Sequence, residues 1–328
     1  MLTNRQSEIL KLIVLEYIKL AKPVGSKLIC DKLNCSSATV RSEMAALEDL
    51  GLLEKTHTSS GRIPSEEGYR YYVDNLMKLK EISGEDMLKL QMIFNNNQLE
   101  LSDCLKKSLE IVSDITNYTS IVLGTKSHEN ILKEVNIVPL NENSLIVIVI
   151  TDKGFVEHKT INITGISLDE IKKTVNLINN MIVGTPIDEV SSKLEFEVKP
   201  IIGNYVKEHE RLYSMFYNVF TNFTNKNVDI VGKKNILKLP EFTNVDKVTK
   251  VLDKLDDNIE KIVEEDDDNN IKIYIGKESN LDDDMTVIRT KYKTDKEEGT
   301  IAIIGPKRME YDRVVNLLEY IKSNIENK

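Results

Sequence analysis

Short hydroxyl side chains surround a single arginine between positions 36 and 42 of this 328-residue chain. Hydroxyls and a guanidinium donate hydrogen bonds, and a cluster of them at the start of a helix suits phosphate oxygens and the edges of bases. Small neighbours leave such a helix thin enough to enter a groove. We therefore predict a nucleic-acid surface whose candidate contact residues are Ser26, Ser36, Ser37, Thr39, Arg41, Ser42, Lys55 and Arg62.

Three predicted helices must position these side chains. Thr3 and Gln6 have the spacing of a capping box, and apolar residues then recur at helical spacing to about Leu20. The Pro23-Val24-Gly25 break precedes a short helix that Ser26 can cap, and Ser36 or Ser37 can cap a third helix that runs to about Gly51. This order predicts a helix-turn-helix whose last helix reads DNA.

A short hairpin is predicted to follow the third helix. Residues 52–55 read as a strand, 56–62 as a polar loop and 63 onward as the return strand, the arrangement of a wing. Lys55 and Arg62 are expected to touch phosphate or the minor groove, which adds salt-dependent affinity but no sequence preference. Small winged-helix domains also serve as protein-binding modules, so periodicity alone leaves protein binding open.

The charge distribution differs between the two parts of the chain. The net charge of −9 argues against nucleic acid if it is taken as a whole-chain average. Residues 1–80, however, hold 12 Lys and Arg against 10 Asp and Glu, and the remainder holds 32 against 43. Only the first part is therefore suited to phosphates, and only weakly.

Catalytic, metal and membrane functions find little support in the sequence. The three cysteines lack the CxxC spacing of zinc or redox sites, and none of the common hydrolase, nucleotide or zinc-protease motifs is present. The acidic stretches 264–268 and 282–284 lack the spacing of a calcium loop, which favours solvated turns. No apolar stretch is long enough to span a bilayer, so we expect a cytoplasmic protein. Because the catalytic and metal-binding motifs are missing, we also expect that it is not an enzyme and needs no cofactor.

The remainder of the chain is predicted to be an α+β body. Residues 1–77 form the winged helix-turn-helix, 78–117 a helical linker whose two helices are expected to pack against the body, and 118–328 alternate strands with helices. Within that body, a helix from about Ile201 to Asn222 carries a broad apolar face. Core packing is the commoner cause of such a face, and a subunit interface is the other. The candidate interface residues are Tyr205, Leu212, Phe216, Val219, Phe220 and Phe223.

Several strings in the chain resemble the HrcA heat-inducible transcription repressors. Those in the first part are Pro23–Ser26, Ser36–Met44, Leu50–Lys55, His57–Pro64 and Gly68–Asp74. Those in the second part are Gly232–Leu237, Pro240–Phe242 and Ile304–Met309, with Tyr311. The resemblance extends over nearly the whole chain, and the wing string is not shared by winged helices in general.

The resemblance implies a fold and a function. It implies a GAF-like domain behind the winged helix, interrupted at about residues 165–240 by an inserted dimerising segment. It also implies a homodimer that binds double-stranded DNA at an inverted-repeat operator, represses chaperone operons and is kept active by the GroEL-type chaperonin. The alternative is a small-molecule-sensing regulator, in which the GAF-like domain binds a ligand and the winged helix responds.

Overall fold

The computed structural model describes residues 2–56, 61–96, 99, 101–123, 130–152, 154, 156–205, 209–224, 228–242, 244–263, 269–294 and 298–327. They fall into two compact units. Unit 1 comprises Met1–Leu123, Val228–Thr294 and Gly299–Lys328, and unit 2 comprises Gly124–Asn227 with Asp295–Glu298. Among the described residues no helix is both long and apolar enough to cross a membrane.

The N-terminal part of unit 1 is a winged helix-turn-helix. Its helices are α1 (Asn4–Leu20), α2 (Ser26–Leu33), α3 (Ser37–Asp49) and α4 (Glu66–Tyr71), the last of which continues as a π-helical turn, Tyr72–Leu76. Strands β1 (Leu53–Lys55) and β2 (Arg62–Pro64) pair antiparallel, and Val24 bridges to Arg62 on the far side of β2. Ile9, Ile13, Val40 and Leu47 are fully buried between the helices. We call residues 1–76 the head.

Local capping fixes where the first helices of the head begin and end. Thr3 and Gln6 form the predicted capping box at the start of α1. The helix ends at Ala21, whose backbone is left-handed at φ 51°, and Asn34 adopts the same conformation after α2. Asparagine tolerates that conformation better than most residues, so the tight turn between α2 and α3 needs no glycine.

Gly68 is where α4 packs against the rest of the head, and it leads to a stability prediction. A Cβ atom at this position would lie 2.1 Å from the Leu52 carbonyl oxygen. We expect Gly68→Ala to lower the free energy of unfolding by about 1–3 kcal/mol, because the backbone of α4 must move away. Thermal unfolding followed by circular dichroism measures the change.

The matched control for that prediction is Gly84→Ala, at the first position of a later helix. A Cβ atom there has nothing within 4 Å, so this variant is expected to be neutral or slightly more stable. Equal stability of the two alanine variants would contradict the tight packing of α4.

The body of unit 1 is a five-stranded sheet with helices on both faces. The strand order is β7 (Val228–Val231), β3 (Thr119–Leu123), β10 (Glu298–Pro306), β9 (Met285–Lys293) and β8 (Lys272–Ile275). Val122, Ile301 and Ile303 share a core with α5 (Gly84–Phe94), α6 (Leu101–Thr116) and α12 (Tyr311–Glu326). On the opposite face, Ile121 and Ile304 pack against α11 (Val245–Val263). Because both faces are covered, β3 is buried along its whole length.

The two helices of the predicted linker pack against the body and form part of it. The hydrophobic residues Leu90, Leu105 and Leu109 of α5 and α6 are 0–2% exposed and belong to the core of the body. Most of residues 78–117 therefore forms one of the two helical layers on the sheet. The stretch looked like a linker because its outward faces are highly charged.

The C-terminal strings behind the family resemblance meet in this body. Arg308 forms a two-pronged ion pair with Glu241, in which Nη2 lies 3.3 Å from Oε2. Gly232 has φ 72°, and a Cβ there would lie 1.9 Å from Ser113 Oγ. Asn235 Nδ2 donates to that same hydroxyl at 3.1 Å. These strings therefore tie the segment that follows β7 to α6 and to the segment that precedes α12.

Unit 2 is a three-stranded antiparallel sheet packed against helices. The strands are β4 (Leu132–Asn141), β5 (Ser144–Thr151) and β6 (Val156–Asn162), with β5 central. The helices are α7 (Leu168–Ile182), α8 (Ile187–Lys193), α9 (Lys199–Tyr205) and α10 (His209–Thr224), and a π-helical turn, Leu194–Val198, joins α8 to α9. Along the chain, the main segment of this unit, Gly124–Asn227, falls between β3 and β7, so the predicted insert of 165–240 begins and ends too late.

The predicted interface residues of α10 are corrected by their burial. Leu212, Phe216, Val219 and Phe220 are each 0–1% exposed and pack with Val147 and other residues of the sheet and helices of unit 2. They have no surface left for a second subunit. The broad apolar face is therefore due to core packing, the other cause that the sequence left open. The side chains of Tyr205 and Phe223 lie outside the described residues.

Candidate nucleic-acid interface

Helix α3 presents two chemically different faces. Val40, Met44 and Leu47 are buried on one side. Ser37, Arg41 and Ser42, together with Ala38 and Ala45, are exposed on the other. The exposed side therefore combines small side chains with one long cation, as the sequence predicted for a helix that enters a groove.

Ser36 and Thr39 have a local structural role at the start of α3. Ser36 is the N-cap, and its Oγ accepts a hydrogen bond from the Thr39 backbone nitrogen at 3.1 Å. The two hydroxyls also lie 2.9 Å apart. An N-cap of this kind stabilises a helix by about 1 kcal/mol. Contact of either residue with DNA remains a prediction.

Arg41 is linked to the second helix of the pair. Its Nε atom donates to Ser26 Oγ at 3.2 Å, and Ser26 Oγ lies 3.3 Å from Ser37 Oγ. Three of the predicted contact residues from α2 and α3 are thus brought together on the exposed side of the helix-turn-helix.

The two predicted wing contacts occupy different environments. Lys55 is exposed at the end of β1, next to positions 57–60, which lie outside the described residues. Arg62 is only 16% exposed in its side chain, and its Nη2 lies 2.6 Å from Glu48 Oε2. Its Nε also donates to that oxygen at 2.7 Å. Arg62 therefore ties the wing to the C-terminal end of α3.

Arg62→Ala is consequently predicted to lower the stability of the head more than its affinity for DNA phosphates. We expect the free energy of unfolding to fall by about 1–2 kcal/mol, because Glu48 loses its partner at a partly buried position. We also expect the slope of log affinity against log salt to stay as in the wild type. Salt titrations of DNA binding and thermal unfolding measure the two effects.

Lys55→Ala is the control, since its exposed ammonium is free to approach a phosphate. Its loss is expected to reduce the salt slope by about 0.9, the contribution of one phosphate contact. A reduction of that size in Arg62→Ala would instead favour the phosphate contact that the sequence predicts.

The head is joined to the body of unit 1 through α4. Arg70 Nη2 donates to the Ile273 carbonyl oxygen at 2.6 Å and forms an ion pair with Glu278. The rings of Tyr69 and Tyr311 lie 6.0 Å apart, and burial raises the pKa of both hydroxyls, which stay neutral. The string around Arg70 was distinctive in sequence, but nothing local indicated its contacts with Ile273 and Glu278, which lie some 200 positions away.

The described residues offer no alternative chemical centre. They contain no group of three His, Cys, Asp or Glu side chains that could hold a metal ion. Asp282 and Asp284 form ion pairs with Lys247, which offsets part of the negative charge of this turn. The stretch 264–268 lies outside the described residues. Cys30, Cys35 and Cys104 form no disulfide bond.

Two family models match the chain and leave only short segments unmatched. Residues 1–75 match the model for the winged helix-turn-helix transcription repressor, HrcA DNA-binding, and residues 102–315 match the model for the HrcA protein C-terminal domain. The chain belongs to the HrcA family. The family resemblance inferred from the strings is thus confirmed, as is the predicted order of a winged-helix domain followed by an α+β body. The HrcA family consists of transcription repressors, so the prediction that the chain is not an enzyme is confirmed as well.

Individual relatives agree with the HrcA assignment. The chain is 40% identical to the heat-inducible transcription repressor HrcA of Bacillus pumilus (strain SAFR-032), with 100% of this chain and 98% of that protein covered. A crystal structure described as a hypothetical protein matches at a TM-score of 0.69 and 23% identity, covering 100% of this chain and 98% of the other. That likeness supports the fold alone.

Proposed function

We propose that this HrcA-family repressor binds an inverted-repeat operator as a homodimer and represses chaperone operons in the cytoplasm. The observation that carries the proposal is the exposed side of α3, where Arg41 stands among Ser37, Ser42 and two alanines. A two-fold dimer suits an inverted repeat because each half-site meets an identical head. We further propose that a GroEL-type chaperonin keeps the repressor active.

Unit 2 offers a surface for the proposed dimer on the outer face of its sheet. Residues of β5 alternate between buried and half-buried, and the half-buried set includes Ile146, Ile148 and Ile150. Among the described residues, these isoleucines do not belong to the hydrophobic core of unit 2. Val138, directly opposite Ile146, is 44% exposed, and Val156, opposite Ile150, is 58% exposed.

A second copy of the same face is the occupant that we propose for this surface. Its centre is an isoleucine row on the middle strand, and the edge strands add polar residues to the two exposed valines, with Asn136 and His158 directly opposite Ile148. Apolar centres with polar rims are typical of protein interfaces. A two-fold axis near Ile148 would bring the isoleucine row of one subunit against that of the other and bury both rows.

The chaperonin link is tested by measuring operator binding with and without the purified chaperonin and ATP. We expect the chaperonin to raise the fraction of repressor that binds the operator after a heat pulse. If operator binding were unchanged by chaperonin but abolished by a metabolite extract, the repressor would instead be a small-molecule-sensing regulator.

A further inference from the structure

We infer that Arg41 reads one guanine in each operator half-site and that Ser26 is the positioning residue that orients its guanidinium. The inference rests on the proposed function and goes beyond it, since it names the base and the residue that makes the reading possible.

Ser26 accepts a hydrogen bond from Nε of the Arg41 guanidinium and leaves its two terminal nitrogens available for a base. The bond from Arg41 Nε to Ser26 Oγ, at 3.2 Å, occupies the nitrogen nearest the aliphatic chain. The two terminal nitrogens then form a planar fork beyond it. Such a fork matches the O6 and N7 acceptors of guanine in the major groove, the commonest specific contact of an arginine with DNA.

The hydroxyl of Ser26 is free for this role because α2 does not use it as a cap. The N-cap of α2 is Gly25, and it makes no side-chain capping bond. Ser26 follows as the first helical residue, and its Oγ lies close to Ser37 Oγ as well as to Arg41. The Ser26 hydroxyl therefore connects α2 to side chains of α3 and does not cap α2. Its removal should leave α2 intact.

Arg41 also differs in charge pairing from two other arginines of the head. Arg62 forms an ion pair with Glu48, and Arg70 forms ion pairs with Glu278 and Asp74. Within the described part of the chain, Arg41 enters no ion pair, and its side chain is exposed. Its attraction for an electron-rich base edge is thus not offset by a neighbouring carboxylate.

The rest of the exposed side of α3 restricts the choice of base. Asparagine and glutamine are the side chains that read adenine with two bonds, and neither occurs between Ser36 and Asp49. The neighbouring exposed residues Ser37, Ala38, Ser42 and Ala45 are short and provide at most one hydrogen bond or a methyl contact. The one two-pronged reader on this side is therefore Arg41, and its preferred base is guanine.

The test uses the full-length protein and duplexes that it enriches from a random DNA pool. Each guanine of an enriched inverted repeat is replaced in turn by 7-deazaguanine, which has C–H in place of the N7 acceptor. For the wild type, we expect roughly a tenfold or larger loss of affinity at one guanine per half-site. For Arg41→Ala, which binds more weakly, the same replacement should cause no further loss.

Ser26 variants separate positioning from folding. Ser26→Ala should retain the wild-type circular dichroism and melting temperature but lose most of the sensitivity to 7-deazaguanine at that base. Ser26→Thr keeps a hydroxyl and should restore it. An equal loss for wild type and Arg41→Ala would overturn the assignment of the reader, and full sensitivity in Ser26→Ala would overturn the positioning role. If no sequence were enriched at all, the proposed function itself would fail.

Discussion

Ile148→Asp is expected to convert the repressor into a folded monomer. Ile148 lies at the middle of the outer face of the sheet in unit 2, where its side chain is only half-buried in a single chain. An aspartate there meets solvent in the monomer but would face its own equivalent in the proposed dimer. Burying two like charges without partners costs several kcal/mol, enough to separate the subunits.

Sedimentation equilibrium measures this first prediction, and circular dichroism confirms that the variant is folded. The control is Phe196→Ser, which removes an aromatic side chain that is 75% exposed in unit 2 but lies outside the sheet. We expect it to remain dimeric. Monomers from Phe196→Ser together with dimers from Ile148→Asp would place the contact on the helical side of unit 2 instead.

Loss of the dimer should also weaken operator binding strongly. A monomer engages one half-site only, and the head has a nearly balanced charge, so phosphate attraction compensates little. We expect the affinity of Ile148→Asp for the full inverted repeat to approach that of the wild type for a single half-site.

The second large effect is expected in the core of unit 2. Phe216 is 1% exposed and packs between the sheet and the neighbouring helices. Phe216→Ala is expected to lower the free energy of unfolding by about 3–5 kcal/mol, because the truncated side chain leaves a cavity in a close-packed region. Urea titration followed by circular dichroism provides the measurement.

Ser214→Ala on the same helix is the control for this core variant. Its side chain is exposed and donates a hydrogen bond to the Glu210 carbonyl oxygen at 2.8 Å, so its loss should change stability by less than about 0.5 kcal/mol. A Phe216→Ala protein with wild-type stability that sediments as a monomer would support the interface that the sequence predicts for α10.

Elements governed by local signals were predicted closely from the sequence. The first helix was predicted to follow a capping box at Thr3 and Gln6 and to end near Leu20, and α1 spans Asn4–Leu20 with that capping box at its start. The third helix was predicted to end near Gly51 and ends at Asp49. Capping residues and tight turns act over three or four positions, so a single sequence displays them directly.

Features that depend on distant contacts were predicted less well. The apolar face of α10 carries the same residues whether a neighbouring sheet or a second subunit covers it, and only the fold shows the neighbouring sheet. The limits of unit 2 follow from the pairing of β3 with β7, two strands separated by the whole insert. Unit 2 therefore begins before the predicted insert and includes β4 to β6.

In the candidate site, too, locally determined features were predicted better than those that depend on distant contacts. The exposed residues of α3 follow from helical periodicity, which placed Ser37, Arg41 and Ser42 on one side. The pairing of Arg62 with Glu48 joins two elements 14 positions apart, and that of Arg70 with Glu278 joins elements 208 positions apart. Sequence reasoning identified the cations but could not tell which of them were already paired.

The most direct test of operator recognition compares two duplexes of the same length and base composition. One contains the inverted repeat enriched by the protein, and the other has both half-sites scrambled. Fluorescence anisotropy at a fixed, near-physiological salt concentration gives the two affinities. We predict that the dimer binds the inverted repeat at least about a thousandfold more tightly, as specific repressors do. Equal affinities for the two duplexes would contradict sequence-specific repression by the winged helix.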